Sequence, residues 1–173
     1  MEYAKLGTSD LNVSTVGLGC NNFGMRLFDQ EQVNVIVNTA LDAGINFFDT
    51  ADMYGNGASE QFLGKALGSR RTEVIVGTKF GMKMDDDDNK QGASRRYILE
   101  AVEASLSRLG SDYIDLYQVH FPDPETPIEE TLETLNELIK AGKVRHIGNS
   151  NFTGDMICLL YTSPSPRDGL LAR

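Results

Sequence analysis

Cysteine is scarce in this sequence, and basic residues are fewer than acidic ones. The 173 residues include only two cysteines, Cys20 and Cys158, without a Cys-x-x-Cys spacing, so we expect neither a disulfide framework nor a cysteine zinc site. The formal net charge is −9 and no basic stripe offsets it. This charge argues against nucleic acid or an anionic membrane as a partner.

Long apolar segments are also missing. No run approaches the roughly 18 apolar residues that a membrane-spanning helix needs. The polar N-terminus, residues 1–10, lacks the apolar stretch of a signal peptide. We therefore expect a cytoplasmic protein that does not enter a membrane. The dense acidic run at 85–88 is predicted to be a solvated loop, and no metal site is predicted.

Strand and helix patterns alternate along the chain with short connections between them. A β-hairpin is predicted at 2–6 and 11–15, followed by strands at 16–20, 45–48, 74–78, 114–119 and 144–149. Helices are predicted at about 30–43 and 59–67, between a long loop at 80–93 and Gly110, and at about 126–141. Such alternation is typical of βαβ units around a parallel sheet.

Helix boundary signals support these helices. Asp29 is predicted to cap the first helix, and Gly44 fits the left-handed position that ends it. The third helix carries an apolar stripe of Ile98, Val102, Leu106 and Leu109. Thr126 is the predicted N-cap of the fourth helix, with Pro127 in its first turn. Its predicted buried face is Ile128, Leu132, Leu135 and Ile139.

Polar residues recur where these strands end. Asp49, Lys79, His120 and the pair Ser150-Asn151 each close a strand, and Tyr54 lies in the loop after the second strand. In a (β/α) barrel the carboxyl ends of the strands form the face where catalysis occurs, so these side chains are expected to converge. Each alone has an ordinary reading, as a turn residue, a surface residue or a structural histidine. Their recurrence favours a functional site.

Several motifs in order resemble the aldo-keto reductase family over residues 1–152. They are GLGC at 17–20, NFFDTADMYG at 46–55, GTK at 77–79 and GKVRHIGNSNF at 142–152. The resemblance implies an α/β fold of the (β/α)8 TIM-barrel type. This chain has a hairpin and about five βα units, against eight in a closed barrel, so an incomplete N-terminal portion is expected.

The resemblance also implies an activity. It predicts an NADP-dependent oxidoreductase that reduces an aldehyde or ketone to an alcohol by hydride transfer from NADPH. Tyr54 corresponds to the general acid, Lys79 to an ammonium that lowers the pKa of that phenol, Asp49 to the carboxylate paired with the lysine, and His120 to the imidazole that orients the carbonyl.

Cofactor contacts follow from the same resemblance. Ser150 and Asn151 correspond to the pair that binds the nicotinamide carboxamide, and Asp49, Gly19 and Cys20 are expected near the cofactor. Cys20 also fits packing or pocket lining. The segments that bind the adenosine 2′-phosphate in the family have no counterpart here, so NADP(H) is expected from family habit. Asp52 is left open between pocket lining and turn chemistry.

A second function on the same fold remains open. The family includes potassium-channel β subunits, which act largely as regulatory partners, and the fold does not distinguish them from enzymes. A non-catalytic interaction subunit is therefore the alternative to a reductase.

The C-terminal sequence departs from the pattern. The alternation is expected to fail from Asp155, because Pro164 and Pro166 cannot lie inside a helix. Residues 1–157 are predicted as part of a barrel and 158–173 as a non-native or disordered tail, with a genuine short tail as the alternative. The open sheet is expected to expose the inner side of strands 74–76 and 114–119 and to leave the chain inactive alone.

Overall fold

A computed structural model of the chain describes residues 1–27, 29–85 and 87–162. Strands β1 (Tyr3–Lys5) and β2 (Asn12–Ser14) form an antiparallel hairpin. A parallel sheet follows in the order β3-β4-β5-β6-β7. Its strands are Leu18–Gly19, Phe47–Asp49, Ile75–Phe80, Ile114–Val119 and Val144–Asn149. Neighbours in the sheet are neighbours in the chain, as in part of a (β/α) barrel.

Four helices connect the parallel strands, and a fifth, mostly exposed, follows the last strand. They are α1 (Gln30–Asp42), α2 (Ala58–Leu67), α3 (Arg95–Leu109), α4 (Ile128–Lys140) and α5 (Gly154–Thr162), with a 3₁₀ helix at Gly68–Glu73. Within the described residues, no helix has both the length and the apolar character to cross a membrane.

The first and third helices follow their sequence signals. The Asp29 side chain accepts a hydrogen bond from the Glu31 N–H at the start of α1, and Gly44, at φ 83°, follows its end. In α3 the predicted stripe is buried, from Ile98 to Leu109. Local capping and a 3.6-residue apolar period therefore fix these two helices.

The fourth helix differs from its prediction in two respects. Its N-cap is Pro127, because the Thr126 hydroxyl donates instead to Asp123 Oδ2 at 2.7 Å. Its most buried side chains are Thr131, Thr134, Leu135 and Leu138. Of the predicted face, Leu135 is buried, whereas Ile128, Leu132 and Ile139 are only partly buried. The two threonines stay buried because their hydroxyls donate to Ala93 O and Glu130 O.

Two other boundaries were predicted wrongly. Strand β3 has two residues, not five, and among the described residues it pairs with β4 alone. The alternation does not fail at Asp155, because α5 continues to Thr162, just before the first of the two prolines. Residues 163–173 of the predicted tail lie outside the described residues, and the division at 157 stays a prediction.

The inner side of the central strands is exposed in part, as expected. Ile75 and Ile114 are buried there, but Leu116, on the same face, is partly exposed. Val74 and Val76 lie on the opposite face, in the core that the sheet shares with the helices. The hairpin explains part of this burial, because Leu11 and Val13 pack against Ile75 and Phe47. It thereby closes the amino end of the sheet, opposite the polar strand ends.

Candidate active site

A lysine and a carboxylate meet at the carboxyl end of the sheet. Lys79, near the end of β5, is 6% exposed and donates from Nζ to Asp49 Oδ2 at 2.6 Å and to the Thr50 carbonyl at 3.0 Å. Asp49 is paired in register with Gly77, so Asp49 and Lys79 lie on the same face of neighbouring strands. An added Cβ at Gly77 would lie in ordinary van der Waals contact with Asp49 Oδ1, at 3.6 Å.

Tyr54 and His120 join this pair. The Tyr54 ring centroid is 5.5 Å from Lys79 Nζ and 5.7 Å from the His120 ring, which it meets edge to face. The tight turn after Tyr54 needs Gly55, at φ 58°, because a Cβ there would meet the Gly24 backbone at 3.0 Å. The four predicted catalytic side chains therefore form one cluster.

The tyrosine environment differs from the expected one. The pKa of Tyr54 is raised, not lowered, first by burial and then by the negative charge of Asp49. Lys79 lies near the ring, but its ammonium donates to Asp49 and Thr50, and its charge is balanced by a carboxylate at 2.6 Å. The phenol therefore keeps its proton at neutral pH, as a proton donor must.

His120 is held as a neutral imidazole. Burial lowers its pKa below the usual 6.5, the Lys79 ammonium lowers it further, and Asp49 opposes them. Its Nδ1 is buried without a hydrogen-bond partner among the described residues. The ring stacks on Phe121 with centroids 5.4 Å apart. A neutral, positioned imidazole of this kind can hydrogen-bond a bound polar ligand.

Ser150 and Asn151 follow β7 beside His120. The Ser150 N–H donates to Val119 O, which extends the strand ladder. Asn151, at φ 61°, donates from Nδ2 to His120 O at 2.9 Å and to Ser150 Oγ at 3.0 Å. These bonds leave Asn151 Oδ1 as an acceptor and the Ser150 hydroxyl as a donor. A primary carboxamide offers the complementary donor and acceptor, so the pair fits a nicotinamide.

The other two expected cofactor residues differ from each other. Gly19 is exposed at the end of β3, where an added Cβ would meet nothing within 4 Å. Cys20 is fully buried, its thiol donates to Leu18 O at 3.6 Å, and burial raises its pKa. The Cys20 side chain therefore fits packing and not direct cofactor contact.

Sequence reasoning missed one polar neighbour of the cluster. Gln118 Nε2 donates to Asp49 Oδ1 at 3.5 Å. It precedes His120 by two residues, so the period of a strand places it on the same face. The alternation of side chains along the strand could therefore have identified Gln118 from the sequence. In the described part of the chain, no group of three or more His, Cys, Asp or Glu side chains is arranged to hold a metal ion.

Comparisons with known proteins agree on one family. The sequence model of the Aldo/keto reductase family matches residues 15–166. Aldo-keto reductase YhdN of Bacillus subtilis is 44% identical over 158 residues, covering 88% of this chain and 48% of that protein. A probable voltage-gated potassium channel subunit beta of Arabidopsis thaliana is 39% identical over 161 residues, covering 91% of this chain and 48% of that protein.

A solved structure shows the same architecture. The holo form of aldo-keto reductase AKR11C1 from Bacillus halodurans matches with a TM-score of 0.86 and 42% identity, covering 95% of this chain and 55% of that chain. The chain spans about half the length of the curated relatives that it matches.

Proposed function

Because the chain belongs to the aldo/keto reductase family, we propose that the whole protein reduces an aldehyde or ketone to an alcohol with hydride from NADPH. The observation that carries this proposal is the single cluster of Tyr54, Lys79, Asp49 and His120. It combines a protonated phenol, a neutral imidazole and a lysine–carboxylate pair at the carboxyl ends of the strands.

Tyr54 is the proton donor in this proposal. Hydride addition to the carbonyl carbon leaves negative charge on the carbonyl oxygen, and the Tyr54 hydroxyl donates the proton that completes the alcohol. The phenolate then recovers a proton from solvent. The raised pKa of Tyr54 supports proton transfer from the phenol to the substrate, because it keeps the phenol protonated at the start of each reduction.

Lys79 and Asp49 hold the proton donor in place. The Lys79 ammonium binds the carbonyl oxygen of Thr50, at the start of the loop that carries Tyr54, and Asp49 fixes the ammonium. A fixed cation close to the reaction centre also favours charge that develops on the carbonyl oxygen.

His120 orients the substrate. Its neutral ring lies edge to face with Tyr54, so a carbonyl oxygen hydrogen-bonded to the phenol also reaches the imidazole. Two donors on one oxygen fix the direction of the carbonyl, which is the main benefit of a preorganised site.

The cofactor is held in part by Ser150 and Asn151. The Ser150 hydroxyl and the Asn151 amide oxygen fit the nicotinamide carboxamide, and the bound cofactor would supply the hydride. The preference for NADPH over NADH rests on family resemblance, so both are compared in the test.

A hybrid chain tests the proposal. It joins residues 1–152 of this chain to the part of the B. subtilis relative YhdN that follows the segment matched by this chain, a match that covers 48% of YhdN. We expect NADPH consumption that depends on an added aldehyde or ketone, with slower consumption of NADH. YhdN itself serves as the assay control. A hybrid that binds NADPH but reduces no carbonyl in a broad panel would contradict the proposal.

A regulatory role is the second candidate. The similarity to the Arabidopsis potassium channel subunit, at 39% identity, favours it. It predicts that the hybrid binds NADPH tightly without turnover, and that the Tyr54→Phe change alters neither binding nor structure. The same measurements of cofactor binding and carbonyl-dependent consumption therefore distinguish the two functions.

A further inference from the structure

Two buried hydroxyl groups meet at the base of the loop that carries Tyr54. This loop runs from Thr50, directly after β4, to Ser59, in the first turn of α2. Both end residues are fully buried, and Thr50 Oγ1 lies 2.8 Å from Ser59 Oγ. The hydroxyl contact therefore joins two positions that are nine residues apart in sequence and closes the loop at its base.

The direction of this contact follows from the number of protons. The Ser59 hydroxyl has one proton, which it donates to Cys20 O at 2.8 Å. Thr50 is therefore the donor in the contact between the two hydroxyls. The result is a directed chain of hydrogen bonds from the Thr50 hydroxyl through the Ser59 oxygen to Cys20 O. Removal of either hydroxyl breaks this chain, and a buried group that loses its partner is costly.

The hydroxyl contact is connected to both groups that meet in the catalytic cluster. The Ser59 N–H donates to Tyr54 O at 3.2 Å, so Ser59 also holds the backbone of the proposed proton donor. The Thr50 carbonyl accepts a hydrogen bond from Lys79 Nζ at 3.0 Å. One partner in the contact is thus bonded to the tyrosine residue, and the other is bonded to the ammonium beside the tyrosine ring.

The next residue of α2 anchors the helix independently. The buried Glu60 carboxylate accepts hydrogen bonds from Thr78 Oγ1 and from Arg108 Nε, both at 2.6 Å. Thr78 directly precedes Lys79 in β5. The start of α2 is therefore held by Glu60 even without the hydroxyl contact. Loss of that contact should consequently loosen the loop and leave the fold in place.

We propose that Thr50 and Ser59 are positioning residues, whose hydroxyl contact keeps the loop closed and holds the Tyr54 phenol beside Lys79 and His120. Neither hydroxyl is part of the cluster, so both act through the loop. A fixed proton donor matters because a displacement of about 1 Å at a reaction centre can cost about 10²-fold in rate. The catalytic consequence rests on the proposed function, whereas the effect on the loop does not.

Two substitutions at Thr50 separate positioning from packing. Thr50→Val keeps the shape of the side chain and removes the hydroxyl, whereas Thr50→Ser keeps the hydroxyl and removes a methyl group. A packing role would be disturbed more by Thr50→Ser, and a positioning role more by Thr50→Val. Thr131→Val is the matched control. Thr131 is 1% exposed, and its hydroxyl joins α4 to Ala93 O at 2.9 Å.

Hydrogen exchange of the 173-residue chain, followed by mass spectrometry, tests the hold on the loop. We expect the amides of residues 51–59 to exchange about fivefold faster in Thr50→Val and in Ser59→Ala, the change that loss of one net hydrogen bond allows. Thr50→Ser and Thr131→Val should resemble the parent chain there. Circular dichroism verifies the fold of each variant. Unchanged loop exchange in folded Thr50→Val and Ser59→Ala, or equally fast loop exchange in Thr131→Val, would overturn the proposal.

Steady-state kinetics of the hybrid test the catalytic consequence. We expect Thr50→Val to lower kcat by about 10- to 100-fold, with the KM of the carbonyl and the Kd of NADPH unchanged. Thr50→Ser should recover most of this loss. Combining Thr50→Val with Ser59→Ala should cost no more than Ser59→Ala alone, because both changes break the same contact.

Two kinetic results would contradict the positioning role. They are an undiminished kcat in Thr50→Val, and a double variant whose loss equals the product of the two single losses. A hybrid that reduces no carbonyl would contradict the proposed function instead, and the exchange measurement on the 173-residue chain then decides whether the hydroxyl contact holds the loop.

Discussion

A tyrosine that keeps its proton is the residue on which the proposed chemistry depends. Burial and the charge of Asp49 both raise the pKa of Tyr54, while the charge of Lys79 is balanced by Asp49. The residue types alone suggested the opposite shift, because the sequence places a lysine near the tyrosine but does not show which group the lysine contacts.

The pH profile of the reaction follows from these shifts. Tyr54 has a raised pKa, so loss of its proton lies above the usual value of about 10. His120 has a lowered pKa, so its protonation lies below the usual value of about 6.5. We expect kcat/KM for carbonyl reduction by the hybrid to stay level between these limits. A decline that begins near pH 8 would show that Lys79 does lower the phenol pKa.

Lys79→Met removes the group that anchors both Asp49 and the Thr50 carbonyl. We expect kcat to fall by about 10²-fold, because a displacement of about 1 Å at a reaction centre can cost that much. Lys83→Met is the matched control, since Lys83 is more exposed and pairs only with Asp88 in the described contacts. Steady-state kinetics of both variants in the hybrid measure this effect. Equal kcat values for the two variants would contradict a catalytic role for Lys79.

The convergence of the four side chains was predictable, but their contacts were not. Strand ends and motif order singled out Tyr54, Lys79, Asp49 and His120, which lie in one cluster, and their catalytic roles stay a prediction. The exposure of Gly19 and the full burial of Cys20 depend on how β3 ends against β4, which no local pattern encodes.

At the scale of elements, capping residues and apolar periodicity predicted the bounds of the helices and strands that depend on local interactions. Strands β6 and β7 have the expected bounds, and α1 begins at its Asp29 cap. The N-cap of α4 is Pro127 and not the predicted Thr126, because the Thr126 hydroxyl donates to Asp123. The α5 helix was missed because Pro164 and Pro166 were expected to prevent a helix from Asp155 onwards. Instead, the helix forms before them and continues to Thr162.

Buried charges between elements were also missed. Glu60 of α2 is fully buried and accepts hydrogen bonds from Thr78 of β5 and Arg108 of α3. Arg71 of the 3₁₀ helix is similarly paired with Asp115 of β6 at 2.9 Å. Sequence patterns treat such residues as surface groups, because only the packed structure supplies their partners.

Arg108→Met tests how α2 and α3 are held together. It leaves Glu60 buried without its cation, so we expect the free energy of unfolding to fall by about 3–5 kcal/mol. Arg95→Met in the same helix is the matched control, because its bond to Glu137 is half exposed and exposed pairs contribute only about 0–1 kcal/mol. Urea unfolding of the two variants in the hybrid measures the difference. Equal losses would mean that the Glu60 pair is as weak as a surface pair.

At the scale of the whole molecule, the sheet is open among the described residues. Strands β3 and β7 each have one neighbouring strand there, and open strand edges favour association. The hairpin covers the inner side of the sheet only near Ile75 and Phe47, and Leu116 on that side stays partly exposed, so the inner face adds to the tendency of the open edges to associate.

We expect the 173-residue chain alone to associate as its concentration rises and to oxidise no NADPH with any carbonyl. Among the described residues, the edge strands β3 and β7 each lack a second neighbour, and Ser150 and Asn151 provide only part of a cofactor site. Sedimentation across a concentration series and a cofactor assay check both points. A stable monomer that reduces carbonyls with NADPH would show that five parallel strands suffice.

The most direct measurement of the proposed chemistry is the rate of hydride transfer in a single turnover of the hybrid carrying Tyr54→Phe. Tyr113→Phe is the control, because Tyr113 lies against Arg71, away from the cluster. Loss of a general acid is predicted to slow transfer by about 10²–10⁴-fold while NADPH binding stays unchanged. An undiminished rate in Tyr54→Phe, with Tyr113→Phe behaving like the parent hybrid, would contradict the assignment of Tyr54 as the proton donor.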